Sequence, residues 1–134
     1  MSAAAAAICL FTAAARVVLP AQAFTLRWQH TVERVLWEED YRVNGARLIA
    51  TAARIRGSGA GMEPPAGAVL RDGAWHYRPE ARPLPELVLA RSEFGADYEL
   101  CIDGTCRPLA RWVPPAGGPV RIAPCAPSGA RRAR

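Results

Sequence analysis

The sequence contains no lysine, and all 17 of its basic residues are arginine. This absence excludes a Walker A phosphate loop, a Schiff-base lysine and a lysine general base. Two histidines and four cysteines are too few for a multi-histidine zinc enzyme or an array of zinc fingers. The 134 residues suffice for one domain, and a hydrophobic fraction of 51% is typical of a globular chain. The composition therefore predicts one globular domain without indicating a reaction, a cofactor or a bound metal.

The formal charge of +5 comes largely from the two ends of the chain. Arg16 lies in an apolar N-terminal segment, and Arg131, Arg132 and Arg134 lie in the last four residues. The rest of the chain has 13 arginines against 12 acidic residues, so it is close to neutral. A neutral domain lacks the positive surface that nucleic acid requires, and we expect no nucleic-acid partner. Residues 124–134 are predicted to form a disordered, arginine-rich tail.

Residues 3–23 are apolar, rich in alanine, and end in Ala21-Gln22-Ala23. A run of this kind is typical of a secretory signal peptide, here cleaved after Ala23. No basic residue precedes the run and Arg16 interrupts it, so an uncleaved inner-membrane anchor and a buried helix stay open as alternatives. We predict a signal peptide over residues 1–23 and a periplasmic protein, which contacts a membrane only if this segment is retained.

Three turn sequences dominate the rest of the chain: Asn44-Gly45, Asp72-Gly73 and Asp103-Gly104. A two-residue hairpin loop needs positive φ at both positions, which Asn or Asp followed by Gly adopts at little steric cost. Strand-like runs flank each pair. Residues 24–123 are therefore predicted to form an all-β domain, a small antiparallel sandwich or partly open barrel of about seven or eight strands.

The first hairpin is predicted to join residues 34–43 to residues 46–55, and only the alanine-rich second segment has a helical alternative. With the loop at Asn44-Gly45, Val43 lies opposite Ala46 and Glu39 opposite Ala50. Glu39 then interrupts an otherwise apolar face. The four tryptophans are predicted to fill core positions.

Cys101 and Cys106 flank the third turn. A two-residue loop places them on a non-hydrogen-bonded pair, whose Cα atoms lie about 4.5 Å apart, within reach of a disulfide. A redox dithiol and a metal-binding pair stay open, although the spacing is not Cys-x-x-Cys and no histidine is near. Cleavage after Ala23 would remove Cys9. Cys125 would then be left over, either exposed or bonded to one of the other two cysteines.

His30, Glu33 and Glu39 belong to the densest group of polar residues. If the strands on either side of residues 31–33 pair, His30 and Glu39 approach each other. A histidine beside a carboxylate serves as a base, as a pair of metal ligands or as a structural hydrogen bond. Glu38 and Asp40 are predicted to lie on the solvent face.

A glycine-rich segment, Gly57-Ser-Gly-Ala-Gly-Met62, follows the first hairpin. Gly59 and Gly61 allow main-chain amides to approach an anion closely. No helix pattern follows, so the segment is not a nucleotide-binding fingerprint. A mobile loop over one end of the sheet and an anion-binding nest are the two interpretations.

The run from Phe24 to Arg34, followed by Trp37-Glu-Glu-Asp-Tyr-Arg-Val43, resembles a bacterial family of small exported proteins of unknown function. Members are often encoded beside TAXI-type TRAP transporters, which are tripartite uptake systems. The resemblance spans roughly residues 24–113. His30, Val32 and Glu33 match the family's first block, with Thr31 in place of serine, and Glu38 or Glu39 takes the next acidic position. It implies a periplasmic accessory or binding role.

We therefore expect an exported, non-enzymatic accessory or binding domain associated with a TRAP-type uptake system. Its partners would be transporter components or a small acidic solute, with His30, Glu33, Glu39, Gly59 and Gly61 as candidate ligand-binding residues. One alternative is a metal-binding or hydrolytic site built on His30 with Glu33 or Glu39. Another is a structural envelope protein anchored by residues 3–23.

Overall fold

The computed structural model describes residues 6–30, 35–57, 64–80, 82–92, 96–115 and 118–127. Over these residues the chain folds into β-strands joined by turns and loops. The described residues contain one 3-10 turn, Leu109–Arg111, and no α-helix. The strands are β1 Ala7–Phe11, β2 Arg16–Leu19, β3 Ala23–His30, β4 Val35–Asn44, β5 Arg47–Arg56, β6 Val69–Arg71, β7 Ala74–Tyr77, β8 Leu87–Leu89, β9 Glu99–Ile102, β10 Thr105–Pro108 and β11 Val120–Cys125.

The strands form two antiparallel sheets. The large sheet has seven strands in the order β10-β9-β3-β4-β5-β7-β6, and the small sheet has four in the order β2-β1-β11-β8. Neither sheet closes into a barrel. The predicted all-β antiparallel fold is confirmed as two sheets, with more strands than the sequence predicts.

One hydrophobic core joins the inner faces of the two sheets. Ile8 and Leu10 enter it from the small sheet, and Phe24 and Leu26 enter it from the large sheet, all with at most 4% of their surface exposed. Each pair is separated by one residue, because alternate side chains of a strand point to the same face. Burial of each such side chain contributes about 1.5–3 kcal/mol. The predicted apolar face of β3 is therefore the face that packs in the core.

The segment predicted to be a signal peptide contributes two strands of the small sheet. β1 pairs with β2 on one side and with β11 on the other. The helical alternative is wrong for residues 7–11 and 16–19, and none of the described residues belongs to a helix that could span a membrane. Cleavage after Ala23 stays a prediction.

The end of the domain also differs from the predicted boundary at residue 123. β11 continues to Cys125, which is half-buried and bonded to Cys9. In the full chain, pairing of β1 with β11 brings the two cysteines together, and Cys125 would be left over only after cleavage, which stays a prediction. Cys101 and Cys106 form the predicted cross-strand disulfide.

Two of the three predicted turns have the expected backbone. Asp72 and Gly73 both have positive φ, and so do Asp103 and Gly104. In the first hairpin only Gly45 has positive φ, and Asn44 pairs with Arg47, so the loop lies one residue later than predicted. Glycine at the first loop position is favoured in a type II′ turn, whereas the predicted Asn44-Gly45 pair is favoured in a type I′ turn.

The register of this hairpin is consequently different from the predicted one. Val43 lies opposite Leu48, and Glu39 lies opposite Ala53 after a bulge between Asp40 and Tyr41. A bulge adds one residue to one strand and is not visible in a pattern of alternating polarity. Residues 47–56 form a strand, so their helical alternative is wrong.

None of the four tryptophans is fully buried, which corrects their predicted core positions. Trp28 and Trp112 pack against the core from its border. Trp28 stacks on Trp37 of the neighbouring strand, with ring centroids 6.0 Å apart. A ring of this size extends past the end of a small sandwich core and keeps one edge in solvent.

An ion pair between the buried side chain of Arg91 and the partly exposed side chain of Asp97 lies before β9. The side chain of Arg91 is 1% exposed and forms two hydrogen bonds with the carboxylate of Asp97, at 3.0 and 3.2 Å. Arg91 also donates to the carbonyl oxygens of Val113 and Pro114, and Asp97 accepts from the main-chain N–H of Ala110. These bonds hold the segment against the 3-10 turn region.

Candidate functional site on the large sheet

A cluster of charged residues covers the outer face of the large sheet, which is the face turned away from the core. We call Arg27, Glu38, Asp40, Arg54 and Arg56 the outer-face cluster. They alternate with inner-face residues along β3, β4 and β5, and cross-strand pairing sets Arg27 opposite Glu38 and Glu38 opposite Arg54. Opposite charges on neighbouring strands attract each other at this spacing.

Arg54 is the centre of this cluster. Its Nε donates to Glu38 Oε1 at 2.8 Å, and its two terminal nitrogens donate to the carboxylate of Asp40 at 2.6 and 3.0 Å. Thr25 donates to Asp40 at 2.7 Å, and Arg56 Nε donates to Glu38 at 3.4 Å. A guanidinium group in this two-pronged geometry holds both carboxylates in fixed positions.

The ionisation of the two carboxylates follows from these contacts. Burial by itself raises the pKa of Glu38, but the hydrogen bond and charge of Arg54, with the charges of Arg56 and Arg27, bring it below its ordinary value. Burial opposes the same change at Asp40, where bonds from Arg54 and Thr25 lower the pKa. Both carboxylates therefore remain charged at neutral pH.

A cleft of about 460 Å³ opens beside this cluster, at the edge of β3. β9 begins at Glu99, opposite Arg27, so among the described residues no strand continues alongside β3 beyond this point on that side. The chain before β9 diverges from β3 and leaves an open space. Its walls combine aromatic, polar and charged groups: Arg27, Trp28, Gln29, Leu36, Ala96, Asp97, Glu99 and Pro108.

Arg27 is the cation of this cleft. Its Nε lies 3.4 Å from Glu99 Oε1 and 3.6 Å from Glu38 Oε2, yet this buried nitrogen makes no hydrogen bond among the described residues. Its side chain is 31% exposed and that of Glu99 is 41% exposed. The ion pair with Glu99 is loose and close to solvent, so it contributes little stability and can exchange.

Only part of the predicted site lies in the described residues. The main chain of His30 ends β3 opposite Val35, whereas Glu33, Gly59 and Gly61 lie outside the described residues. Glu39 lies opposite Leu26, four residues from His30 along β3. The expected approach of His30 and Glu39 is wrong, because four residues of strand correspond to about 13 Å.

Glu39 lies instead on the inner face of the sheet, beside two tyrosines. The hydroxyl of Tyr41 donates a hydrogen bond to Glu39 Oε1. Burial, the hydrogen bond and the charge of Glu39 raise the pKa of Tyr41 well above its ordinary value, and burial with the charge of Glu39 raises that of Tyr77. Both tyrosines keep their protons at neutral pH. The hydrogen bond from Tyr41 to Glu39 is therefore a structural one.

Sequence reasoning missed the roles of Arg27, Arg54 and Arg56. Glu38 and Asp40 are correctly placed on the outer face, but their partners depend on the register between three strands. A usable signal exists: Arg54-Ile-Arg56 has the same one-residue spacing as Glu38-Glu-Asp40 on the preceding strand. Matching charge pairs of this kind indicate which strand faces lie side by side.

This arrangement is suited to binding. The carboxylates of the outer-face cluster keep their charge and the inner tyrosines keep their protons, so these groups do not exchange protons near neutral pH.

Residues 24–109 match the family described as Domain of unknown function (DUF1850). The chain belongs to this family. No curated protein and no solved structure matches the chain.

The DUF1850 match includes every strand of the large sheet except Ala23, the first residue of β3. β1, β2 and β11 of the small sheet lie outside the matched residues. The outer-face cluster and the cleft beside Arg27 are therefore features of the family region. The described residues contain no group of three or more His, Cys, Asp or Glu placed to hold a metal ion.

Proposed function

We propose that this DUF1850 protein is an exported, non-enzymatic binding domain that holds a small acidic solute for an uptake system of the TRAP type. The observation that carries this proposal is the position of Arg27 in the cleft beside β3. Its Nε is buried and has no hydrogen-bond partner among the described residues, and its nearest acidic neighbour, Glu99, is partly exposed.

Ligand binding at Arg27 follows from exchange of one carboxylate for another. A solute carboxylate that displaces Glu99 gains charged hydrogen bonds to the guanidinium group, while Glu99 turns into solvent at small cost. Trp28 and Leu36 supply the apolar wall that a small carbon skeleton needs.

The location rests on the disulfides. Two disulfides indicate an oxidising compartment, and the periplasm is such a compartment in bacteria. The association with a TRAP transporter rests on the resemblance of residues 24–113 to exported proteins encoded beside such systems. An accessory domain in that compartment contacts either the solute or the transporter subunits.

Thermal shift measurements test the solute. We expect acetate, succinate or glutamate to raise the melting temperature of the full chain, and Arg27→Gln to abolish the rise. Arg107→Gln is the matched control, because Arg107 is an exposed arginine of β10 outside the cleft. Failure of every carboxylate, or an unchanged response in Arg27→Gln, would contradict binding at this arginine.

Cross-linking in the native host tests the partner. A tagged chain is expected to enrich TRAP transporter subunits over a tag-only control, as identified by mass spectrometry. Enrichment no greater than the control would overturn the association with the transporter while leaving the solute measurement independent.

A further inference from the structure

We propose that Cys101–Cys106 is a redox-active disulfide that dithiol proteins reduce selectively, while Cys9–Cys125 stays oxidised. The first bond lies on the outer face of the large sheet and joins neighbouring strands at a sequence separation of five. Arg27 donates a hydrogen bond from Nη1 to Cys106 Sγ at 3.6 Å. Nothing in the proposed binding function requires this chemistry.

The two disulfides differ in position. Each joins a buried cysteine, Cys9 or Cys101, to a half-buried one, but Cys106 lies on the edge strand β10, whereas β1 and β11 are interior strands of the small sheet. A hollow of about 410 Å³ also borders Cys101, with Thr25 and Asp103 on its walls. An attacking thiolate therefore approaches Cys106 from the open edge of the large sheet, whereas both strands of the Cys9–Cys125 pair have a neighbouring strand on each side.

They also differ in what reduction releases. A bond that closes a short loop constrains the unfolded chain less than one that closes a loop of more than a hundred residues. Reduction of Cys101–Cys106 leaves β9 and β10 joined by their own ladder of hydrogen bonds through the Asp103-Gly104 turn. Reduction of Cys9–Cys125 removes the covalent link between residues 116 apart in sequence, which then rely on the ladder between β1 and β11 alone.

Arg27 favours the reduced form of the exposed pair. A guanidinium group beside a sulfur stabilises the thiolate over the thiol and so lowers the thiol pKa. Glu38 and Glu99 also lie beside Arg27 and weaken this effect. A Cys106 thiolate competes with Glu99 for Arg27, which connects the redox state of the disulfide to the cleft.

The reaction is a two-electron exchange with a dithiol protein. A reductant thiolate attacks Cys106 Sγ, the S–S bond breaks, and Cys101 leaves as a thiolate that takes a proton from solvent. The first reductant sulfur is now bonded to Cys106 in a mixed disulfide. The second thiol of the reductant loses its proton and attacks that reductant sulfur. The reductant becomes a disulfide, and Cys106 leaves as a thiolate beside Arg27.

Equilibration of the full chain in defined ratios of reduced to oxidised dithiothreitol tests this. Alkylation and mass spectrometry then give the redox state of each pair. We expect Cys101–Cys106 to be half-reduced at a ratio at least about tenfold lower than Cys9–Cys125, a difference of about 30 mV. Half-reduction of both bonds at one ratio would overturn the proposal.

Variants test the part played by Arg27. Arg27→Gln is expected to raise the half-reduction ratio of Cys101–Cys106 severalfold and to raise the pH at which Cys106 becomes reactive to alkylation. Glu99→Gln should do the opposite, and Arg107→Gln, on the same strand as Cys106, should change neither. Equal values for Arg27→Gln and Arg107→Gln would overturn the role of Arg27. Arg27→Lys keeps the charge and should stay close to the original protein, and Glu99→Gln carries the test if Arg27→Gln does not fold.

Discussion

Cys9 and Cys125 are 116 residues apart in sequence, and their Cα atoms are 5.9 Å apart across neighbouring strands of the small sheet. This disulfide closes almost the whole chain into one loop. It also joins the N-terminal segment to the last strand by a second covalent link. Ile8 and Leu10, on either side of Cys9, have no exposed surface and belong to the core.

Removal of this disulfide should strongly reduce stability. A loop of this length is expected to contribute about 4–5 kcal/mol to the free energy of unfolding, against about 2 kcal/mol for the short loop between Cys101 and Cys106. Urea denaturation of the two double serine variants measures both losses. A smaller loss for Cys9→Ser/Cys125→Ser than for Cys101→Ser/Cys106→Ser would contradict this order.

The two strands of the N-terminal segment lead us to expect that residues 7–19 remain in the folded protein. Cleavage after Ala23, as the Ala-x-Ala pattern predicts, would delete β1 and β2 and leave Cys125 without its partner. Intact mass and disulfide mapping of the exported protein distinguish the two outcomes. An N-terminus at Phe24 with a free Cys125 thiol would show that the sequence prediction is right and that the small sheet is incomplete after export.

Local patterns predict the fold where one element determines its own geometry. The alternation of Phe24, Leu26 and Trp28 marks the inner face of β3, and Asp72-Gly73 and Asp103-Gly104 form the expected turns. The same reasoning explains the disulfide beside the third turn, because cross-strand partners follow from loop length.

Features that depend on distant partners could not be predicted in this way. An alanine-rich apolar run is equally compatible with a signal peptide, a helix and a buried strand. The strand β1 is therefore recognised only through its pairing with β11. The contacts of Arg27 and Arg54 depend on a register that a bulge between Asp40 and Tyr41 alters. Glu39 consequently lies beside Tyr41 and away from His30.

Arg91→Ala should destabilise the protein by about 1.5–3 kcal/mol, because the change leaves the carboxylate of Asp97 and two main-chain carbonyl groups without their charged hydrogen-bond donor. Arg82→Ala is the matched control. Arg82 and Glu80 form an ion pair with side chains 71% and 79% exposed, and its loss should cost less than about 1 kcal/mol. Thermal unfolding of both variants measures the difference. Similar losses would mean that the contacts of Arg91 do not support the fold.

Acid should weaken the outer-face cluster before it affects the apolar core. The pKa values of Glu38 and Asp40 are lower in the folded protein than their ordinary values of 4.5 and 3.8. Groups of this kind stabilise the folded state above their unfolded pKa, and that contribution is lost as the pH falls through the folded pKa. We expect the melting temperature to be level near neutral pH and to fall below about pH 4.5.

Glu38→Gln identifies the source of this acid sensitivity. The variant lacks the ion pairs of Glu38, so its melting temperature should be lower than that of the original protein at pH 7. It also has no charge to lose at this position, so its melting temperature should change less between pH 5 and pH 3. Glu80→Gln, which alters an exposed carboxylate, should leave the whole pH profile in place. A profile for Glu38→Gln parallel to that of the original protein would mean that other carboxylates cause the acid unfolding.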